Sequence, residues 1–250
     1  MSLSYDSGKQ IAVVVSGPKK GKKIYIQADD NYDDDGMREI NLGKGQLFPT
    51  MDNQNRSVNY VAGAAGSGKS TYSVQLALTF QKEFPGNDIY LFSRTDHKDD
   101  PAYKKLKVIQ VTLDDSIIDN PIDLDEIETG SLIIFDDCNT IGNKEIKDAI
   151  DKLIVDILEV GRKMDISIIL TNHLVNPNER KFGRTVMNEL QNFTFFPKSG
   201  SWHGIQYCLQ VYFGLDKKQI EEIKHLPSRW VTVMRNYPMA VLYSNGTYLI

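Results

Sequence analysis

The sequence NYVAGAAGSGKSTY, residues 59–72, contains a complete G-x-x-x-x-G-K-[ST] phosphate-binding loop. Its glycines let the backbone turn tightly and approach a phosphate chain, and successive N–H groups form a cradle for anions. The N-terminus of the following helix adds its partial positive charge to this cradle. We expect the Lys69 ammonium to reach the β- and γ-phosphates and the Ser70 hydroxyl to ligate Mg²⁺. The predicted nucleotide-binding residues are Gly63, Ala64, Ala65, Gly66, Ser67, Gly68, Lys69, Ser70 and Thr71.

The flanking sequence favours a true phosphate-binding loop over a glycine-rich turn that matches by chance. The apolar run at residues 58–62 reads as a strand, and residues 71–82 have the spacing of an amphipathic helix. Strand, loop and helix in this order are the context that the motif requires. The sequence therefore predicts binding of a nucleoside triphosphate.

The composition is that of an ordinary globular protein. The 250 residues include 41% hydrophobic and 25% charged residues, with a net charge of −4. This charge neither indicates nor excludes a nucleic-acid partner. Cys138 and Cys208 have no metal-ligand spacing and suggest a reducing compartment. Neither a membrane span nor a signal peptide is predicted.

The first fifty residues read as a small β-region, and residues 51–250 as the ATPase domain. Strands are predicted at residues 10–15 and 23–27, with a third extended piece near residues 38–42. The turn at residues 17–23 carries lysines that could contact a DNA backbone, although a solvated hairpin tip is the favoured interpretation.

A second strong pattern is SLIIFDD at residues 131–137. Its apolar residues predict a strand buried on both faces, which would deliver Asp136 and Asp137 to the carboxyl edge of the sheet. We assign Asp136 to the magnesium shell and Asp137 to the activation of water. The alternative, two solvated acids in a surface turn, is disfavoured by the phosphate-binding loop that precedes them.

A helix at residues 144–160 follows, and a buried strand at residues 166–170 leads to Thr171-Asn172-His173. The amide of Asn172 could contact the γ-phosphate or the attacking water as a sensor, or it could simply cap the next turn. Other predicted strands lie at residues 88–93, 108–111, 193–196, 229–235 and 240–249, and other helices at 186–190, 203–213 and 216–225, the last with an Asp216 N-cap.

Five segments in order resemble the genome-packaging ATPases of large cytoplasmic DNA viruses and virophages, a group within the FtsK–HerA superfamily. They are GAAGSGKS (63–70), LIIFDD (132–137), EVGRKMDISIILTNHL (159–174), NELQNFTFFP (188–197) and RWVTVMRNYPMAVLY (229–243). The resemblance covers residues 58–250. This chain departs from the family pattern at two points. Relatives often have Asp-Glu where this chain has Asp136-Asp137, and Gln where this chain has Asn172.

The expected fold is α/β. It has a P-loop NTPase core of the ASCE or RecA-like type, with a mostly parallel central sheet flanked by helices. A small N-terminal β-appendage and a C-terminal antiparallel hairpin complete it.

The resemblance also implies a homo-oligomer, a pentamer or hexamer, in which a neighbouring subunit supplies an arginine to the nucleotide site. Arg162 matches this position best, with Arg180 and Arg184 as alternatives, although Arg162 could merely compensate its helix dipole. ATP and Mg²⁺ are the implied cofactors, and double-stranded DNA and capsid proteins the implied partners. The expected location is the host cytoplasm or the virion.

Three kinds of activity remain open on the sequence. The first is ATP-driven translocation of double-stranded DNA, most simply genome packaging, and a cellular or conjugative translocase is its close alternative. The second is a P-loop nucleotide or nucleic-acid kinase, which the acid pair disfavours because it suits water better than a hydroxyl acceptor. The third is a nucleotide-binding regulator with little turnover.

Overall fold

The computed structural model describes residues 1–27, 36–51, 56–173 and 182–250. The chain divides into two compact units, one of residues 56–190 and the other of residues 1–55 together with 191–250. The N-terminal and C-terminal segments, distant in sequence, therefore build one unit.

The N-terminal segment forms five short strands: β1 (Ser2–Ser4), β2 (Lys9–Ser16), β3 (Lys23–Gln27), β4 (Glu39–Asn41) and β5 (Gln46–Pro49). Four of them pair antiparallel in the order β1-β3-β2-β5. The strands predicted at residues 10–15, 23–27 and 38–42 are confirmed, whereas β1 and β5 were not predicted.

The unit of residues 56–190 is a parallel sheet with helices. Its elements are β6 (Val58–Ala62), α1 (Lys69–Glu83), β7 (Ile89–Ser93), β8 (Ile109–Thr112), α2 (Ser116–Asp119), β9 (Leu132–Phe135), α3 (Lys144–Val160), β10 (Ser167–Asn172) and α4 (Phe182–Glu189). The strand order is β6-β10-β9-β7-β8, and all four adjacent pairs are parallel. All residues of β6, β9 and β10 are buried, as expected for central parallel strands.

The sequence explains the bounds of α3. The Asn143 side chain accepts hydrogen bonds from the main-chain N–H groups of Glu145 and Ile146, which fixes the first turn. The buried residues of the helix recur every three or four positions: Ile146, Ile150, Leu153, Ile154, Ile157 and Leu158. This stripe packs inward and leaves the charged residues outside.

The C-terminal segment completes the other unit. It contains β11 (Asn192–Phe195), α5 (Trp202–Phe213), α6 (Lys217–Lys224), β12 (Val231–Met234), β13 (Ala240–Tyr243) and β14 (Gly246–Leu249). Within this unit β4, β14, β13, β12 and β11 pair antiparallel in that order. One apolar core joins N-terminal residues such as Ile11, Val14 and Ile24 to C-terminal residues such as Ala240 and Leu242.

The α/β prediction, with a parallel core sheet and an antiparallel C-terminal hairpin, is confirmed. One boundary was wrong, because residues 240–249 form two strands and not one. Asn245-Gly246 lies at the turn between them, a pair typical of tight hairpins. Within the described ranges, no helix combines the length and apolar character needed to cross a membrane.

Candidate nucleotide site

The phosphate-binding loop connects the end of β6 to the start of α1. The Gly63 N–H donates to the Asn172 carbonyl over 3.1 Å, which attaches the loop to the end of β10. Gly66 and Gly68 have φ of 74° and 111°, a region that side chains rarely tolerate. Backbone geometry thus explains the glycines of the motif at these two positions.

The N-terminus of α1 is open to an anion. In the described part of the chain no side chain caps it, and its first turn contains no acidic residue. The first N–H groups of a helix otherwise need an acceptor, and the helix dipole favours a negative one. A phosphate group fits this end, with Ser70 and Thr71 in the first helical turn.

Lys69, the first residue of α1, is buried, with 5% of its side chain exposed. Its ammonium lies 3.8 Å from the Asp137 carboxylate and 3.3 Å from the His173 ring nitrogen Nδ1. A buried ammonium requires such partners. The lysine of the loop is therefore held beside the acid pair that follows β9.

Thr171 in β10 connects the two acids. Its hydroxyl donates to an Asp136 carboxylate oxygen at 2.8 Å and accepts the Asp137 N–H at 2.9 Å. Asp137 has φ of 49°, in the left-handed region that Asp tolerates better than most residues. The local turn thus directs the second carboxylate away from the line of the strand, toward Lys69 and His173.

Burial raises the pKa of Asp136, and the nearby Asp137 charge adds to the rise, while the Thr171 hydroxyl opposes it. Tyr103 lies beside this carboxyl, and its own pKa is raised well above the usual value by burial and by the acids. The Tyr103 hydroxyl approaches Asp136 without a hydrogen bond of normal geometry among the described residues. Asp136 is consequently a half-buried carboxyl whose charged form is disfavoured by its surroundings.

The oxygen donors at this edge fit Mg²⁺. Ser70 offers a hydroxyl and Asp136 a carboxylate, the hard ligands that this ion prefers. The described residues contain no group of three or more His, Cys, Asp or Glu that could hold a metal alone. Mg²⁺ is commonly bound by one or two carboxylates together with substrate phosphates and water.

The strand order brings the predicted residues together. β10 lies between β6 and β9, so its end separates the phosphate-binding loop from the acid pair. Asn172 is the last residue of β10, is buried, and pairs in register with Ala62. Side chains two residues apart on a strand share a face. Thr171 contacts both acids and His173 contacts Asp137, and Asn172 lies between these two residues in the chain.

The candidate trans-acting arginines lie elsewhere in the same unit. Arg162 is exposed in a 3₁₀ turn, Gly161–Met164, that directly follows α3. Arg184 is exposed on α4. Arg180 lies outside the described residues. Arg162 and Arg184 are therefore both accessible at the surface of this unit.

Sequence reasoning missed three side chains of this site, Thr171, His173 and Tyr103. Thr171 and His173 flank the residue that was singled out, so the two-residue period of a strand could have identified them. Tyr103 comes from a loop between β7 and β8, and no local pattern in the sequence indicates its approach to Asp136.

The chain is similar in sequence to a virophage protein. Protein V3 of the Sputnik virophage is 39% identical over 248 residues, covering 98% of this chain and 97% of V3. No protein-family model matches the chain.

Two solved structures share the fold. One is B204, the DNA-packaging ATPase from Sulfolobus turreted icosahedral virus, with a TM-score of 0.51 and 15% identity over 75% of this chain and 98% of B204. The other is the pCW3 conjugation coupling protein TcpA, with a TM-score of 0.50 and 11% identity over 94% of this chain and 76% of that chain. At such identities the likeness shows the fold alone, and it confirms the predicted P-loop ATPase fold. The chain belongs to the same family as virophage protein V3, and it shares its fold with B204, a viral DNA-packaging ATPase.

Proposed function

We propose that this protein is a Mg²⁺-dependent ATPase that moves double-stranded DNA in a homo-oligomeric ring and packages a viral genome into a capsid. The observation that carries the proposal is the buried Lys69 ammonium, held 3.8 Å from Asp137 beside an open helix N-terminus. This arrangement provides a phosphate-binding cation and a water-activating acid at one edge of the sheet.

The chain's own groups bind the nucleotide. The N–H groups of residues 63–71 surround the phosphates, and the Lys69 ammonium moves from Asp137 to the β- and γ-phosphates. Ser70 and Asp136 would hold Mg²⁺, which would supply positive charge against the charge that develops on the phosphate oxygens. Asp137 then polarises the attacking water, and Asn172 reports the state of the γ-phosphate.

A neighbouring subunit completes the site in this proposal. Arg162 is exposed at the end of α3 and carries a charge that is available to the nucleotide of another copy. An arginine supplied in this way stabilises the charge of phosphoryl transfer and is worth about 10³–10⁵ in rate. The division of each site between two chains would couple hydrolysis to movement of the subunits.

Double-stranded DNA is the proposed polymer that the ring moves. B204, which shares the fold, is a DNA-packaging ATPase, and the family includes a virophage protein. Lysines 19, 20 and 22 are exposed on the turn between β2 and β3, where they could contact phosphates. Residues 180–184 are the other candidate, of which only 182–184 are described.

The test is steady-state ATP hydrolysis with and without long double-stranded DNA. We expect DNA to raise the rate, and Lys69→Ala to lower it at least ~10²-fold because a phosphate-binding charge is lost. Arg162→Ala should also inactivate the protein. Mixing these two inactive variants should restore part of the activity, since some sites then combine an intact Lys69 with an intact Arg162 from the neighbour.

Lys82→Ala and Lys163→Ala are matched controls, because Lys82 is exposed in the last turn of α1 and Lys163 is exposed beside Arg162. Both should hydrolyse ATP normally. Hydrolysis that is indifferent to DNA would contradict the translocase, and transfer of phosphate to a hydroxyl acceptor would favour a kinase.

A further inference from the structure

His173 lies directly after β10, at the centre of the site, in a place that the mechanism above does not use. Its Nε2 is 3.1 Å from Asp137 Oδ2, and its Nδ1 is 3.3 Å from Lys69 Nζ. The side chain is 37% exposed, so solvent and ligands can reach it. Residues from three elements, α1, the turn after β9 and the end of β10, thus meet at one imidazole.

The chemistry of the neighbours determines the protonation of this ring. A lysine ammonium can only donate hydrogen bonds, so Nδ1 must accept and therefore carries no proton. Nε2 then carries the hydrogen and donates it to the Asp137 carboxylate. In this tautomer the Asp137 carboxylate accepts the Nε2 hydrogen and fixes the orientation of the ring.

The imidazole and the Asp137 carboxylate are arranged as a general base and the acidic side chain that orients it. Oδ2 of Asp137 contacts both His173 and Lys69, so the Asp137 carboxylate holds the imidazole beside the lysine that binds phosphate. When a nucleotide draws the Lys69 ammonium to its phosphates, Nδ1 loses its donor. A water molecule beside the γ-phosphate can take the place of that donor.

We propose that His173 is a catalytic residue of the ATPase, which accepts the proton of the attacking water while Asp137 supports it. The inference rests on the proposed function and assigns the activation of water to the pair of Asp137 and His173. Asp136, which faces this region through Thr171, keeps its separate role in the magnesium shell.

The water oxygen forms a bond to the γ-phosphorus, and the bond from that phosphorus to the β,γ-bridging oxygen breaks, with its electron pair leaving on ADP. The water proton passes to Nδ1. The resulting imidazolium is stabilised by the Asp137 carboxylate and later releases its proton to phosphate or solvent.

The experiment compares His173→Ala with His225→Ala in the full-length protein. His225 is a matched control, because its Nε2 contacts Glu221 at 2.9 Å on the surface, with 71% of the side chain exposed. We expect His173→Ala to lower kcat about 10²-fold or more, the usual contribution of a general base. Affinity for a non-hydrolysable ATP analogue with Mg²⁺ and the thermal unfolding midpoint should stay unchanged, and added free imidazole should restore part of kcat.

Each alternative outcome has a definite meaning. A His173→Ala protein that keeps its kcat overturns this proposal alone, provided that the unaltered protein hydrolyses ATP. Loss of analogue affinity together with kcat also overturns it, because His173 would then serve in nucleotide binding. An unaltered protein that hydrolyses no ATP overturns the proposed function and this inference with it.

Discussion

Asp136 is the residue in which the conflict between folding and function is clearest. Burial at the end of β9 raises its pKa, which means that the ionised carboxylate is less stable in the folded protein than in the unfolded chain. The ordinary aspartate value is about 3.9. Below that pH, Asp136 is protonated in both the folded protein and the unfolded chain, and no stability is lost. As the pH rises above that value and through the folded pKa, ionisation costs the folded state more stability.

Replacement of Asp136 by asparagine should therefore stabilise the protein in the absence of nucleotide. The amide keeps an oxygen that can accept the Thr171 hydroxyl hydrogen bond but carries no charge. We expect a higher urea midpoint than that of the unaltered protein at pH 8, a gain that shrinks toward about pH 4, and ATP hydrolysis reduced at least ~10²-fold. Urea unfolding at several pH values, monitored by circular dichroism, measures the first effect.

Asp114→Asn is the control at the same scale. Asp114 is exposed, and hydrogen bonds from Ser116 lower its pKa, so its ionised form stabilises the folded state. Removal of that charge should give no gain at neutral pH. If the gain of Asp136→Asn over the unaltered protein were no larger at pH 8 than at about pH 3, below the ordinary aspartate pKa, the desolvation argument would fail.

At the scale of secondary structure, the sequence predicted the helices and strands that carry local signals. The bounds of α3 follow from its apolar period and Asn143 cap, and Asp216 caps α6 with a reciprocal hydrogen bond from Gln219. β1 and β5 were missed because three or four residues are too few to show a period. The contacts of Tyr103 were missed for a different reason, since tertiary approach leaves no local pattern.

Arg56 is a tertiary contact of the same kind and controls the end of α3. Its guanidinium donates to the carbonyls of Ile157 and Leu158 at 2.7 and 2.6 Å, and it lies 3.8 Å from Glu189 of α4. Helix C-terminal carbonyls need such donors, which here come from a residue just before β6. The segment that carries Arg162 therefore begins from a fixed helix end.

Substitution of Arg56 by methionine, which keeps much of the apolar stem, should lower the free energy of unfolding by about 2–4 kcal/mol. The reason is that the Ile157 and Leu158 carbonyls both lose a charged donor, worth about 1.5–3 kcal/mol each, and only the Ile157 carbonyl is known to keep a second one, the Gly161 N–H. Chemical denaturation measures the change. Arg162→Ala is the matched comparison, because Arg162 is exposed and its loss should cost less than about 0.5 kcal/mol. Equal stability of Arg56→Met and the unaltered protein would contradict the role of Arg56 as a helix cap.

At the scale of the whole molecule, each unit contains one buried cysteine. Cys138 belongs to residues 56–190 and Cys208 to the unit formed by the two chain ends. Burial raises the pKa of the Cys208 thiol to about 12, and burial and nearby carboxylates raise the pKa of Cys138 well above its usual range. Since the thiolate is the reactive form, both side chains should be inert in the folded protein.

Alkylation by iodoacetamide at pH 8 should therefore proceed roughly 10³-fold more slowly at Cys208 than at a cysteine of the unfolded chain, because the thiolate fraction falls with the rise in pKa. Cys138 should be at least as well protected. Peptide mass spectrometry resolves the two sites, and the single variants Cys138→Ser and Cys208→Ser assign each rate. In rising urea, each thiol should become reactive as its own unit unfolds, so the two labelling midpoints measure the stability of the two units separately. Rapid labelling of either cysteine without urea would show that its unit opens in the native state, contrary to the burial of its thiol.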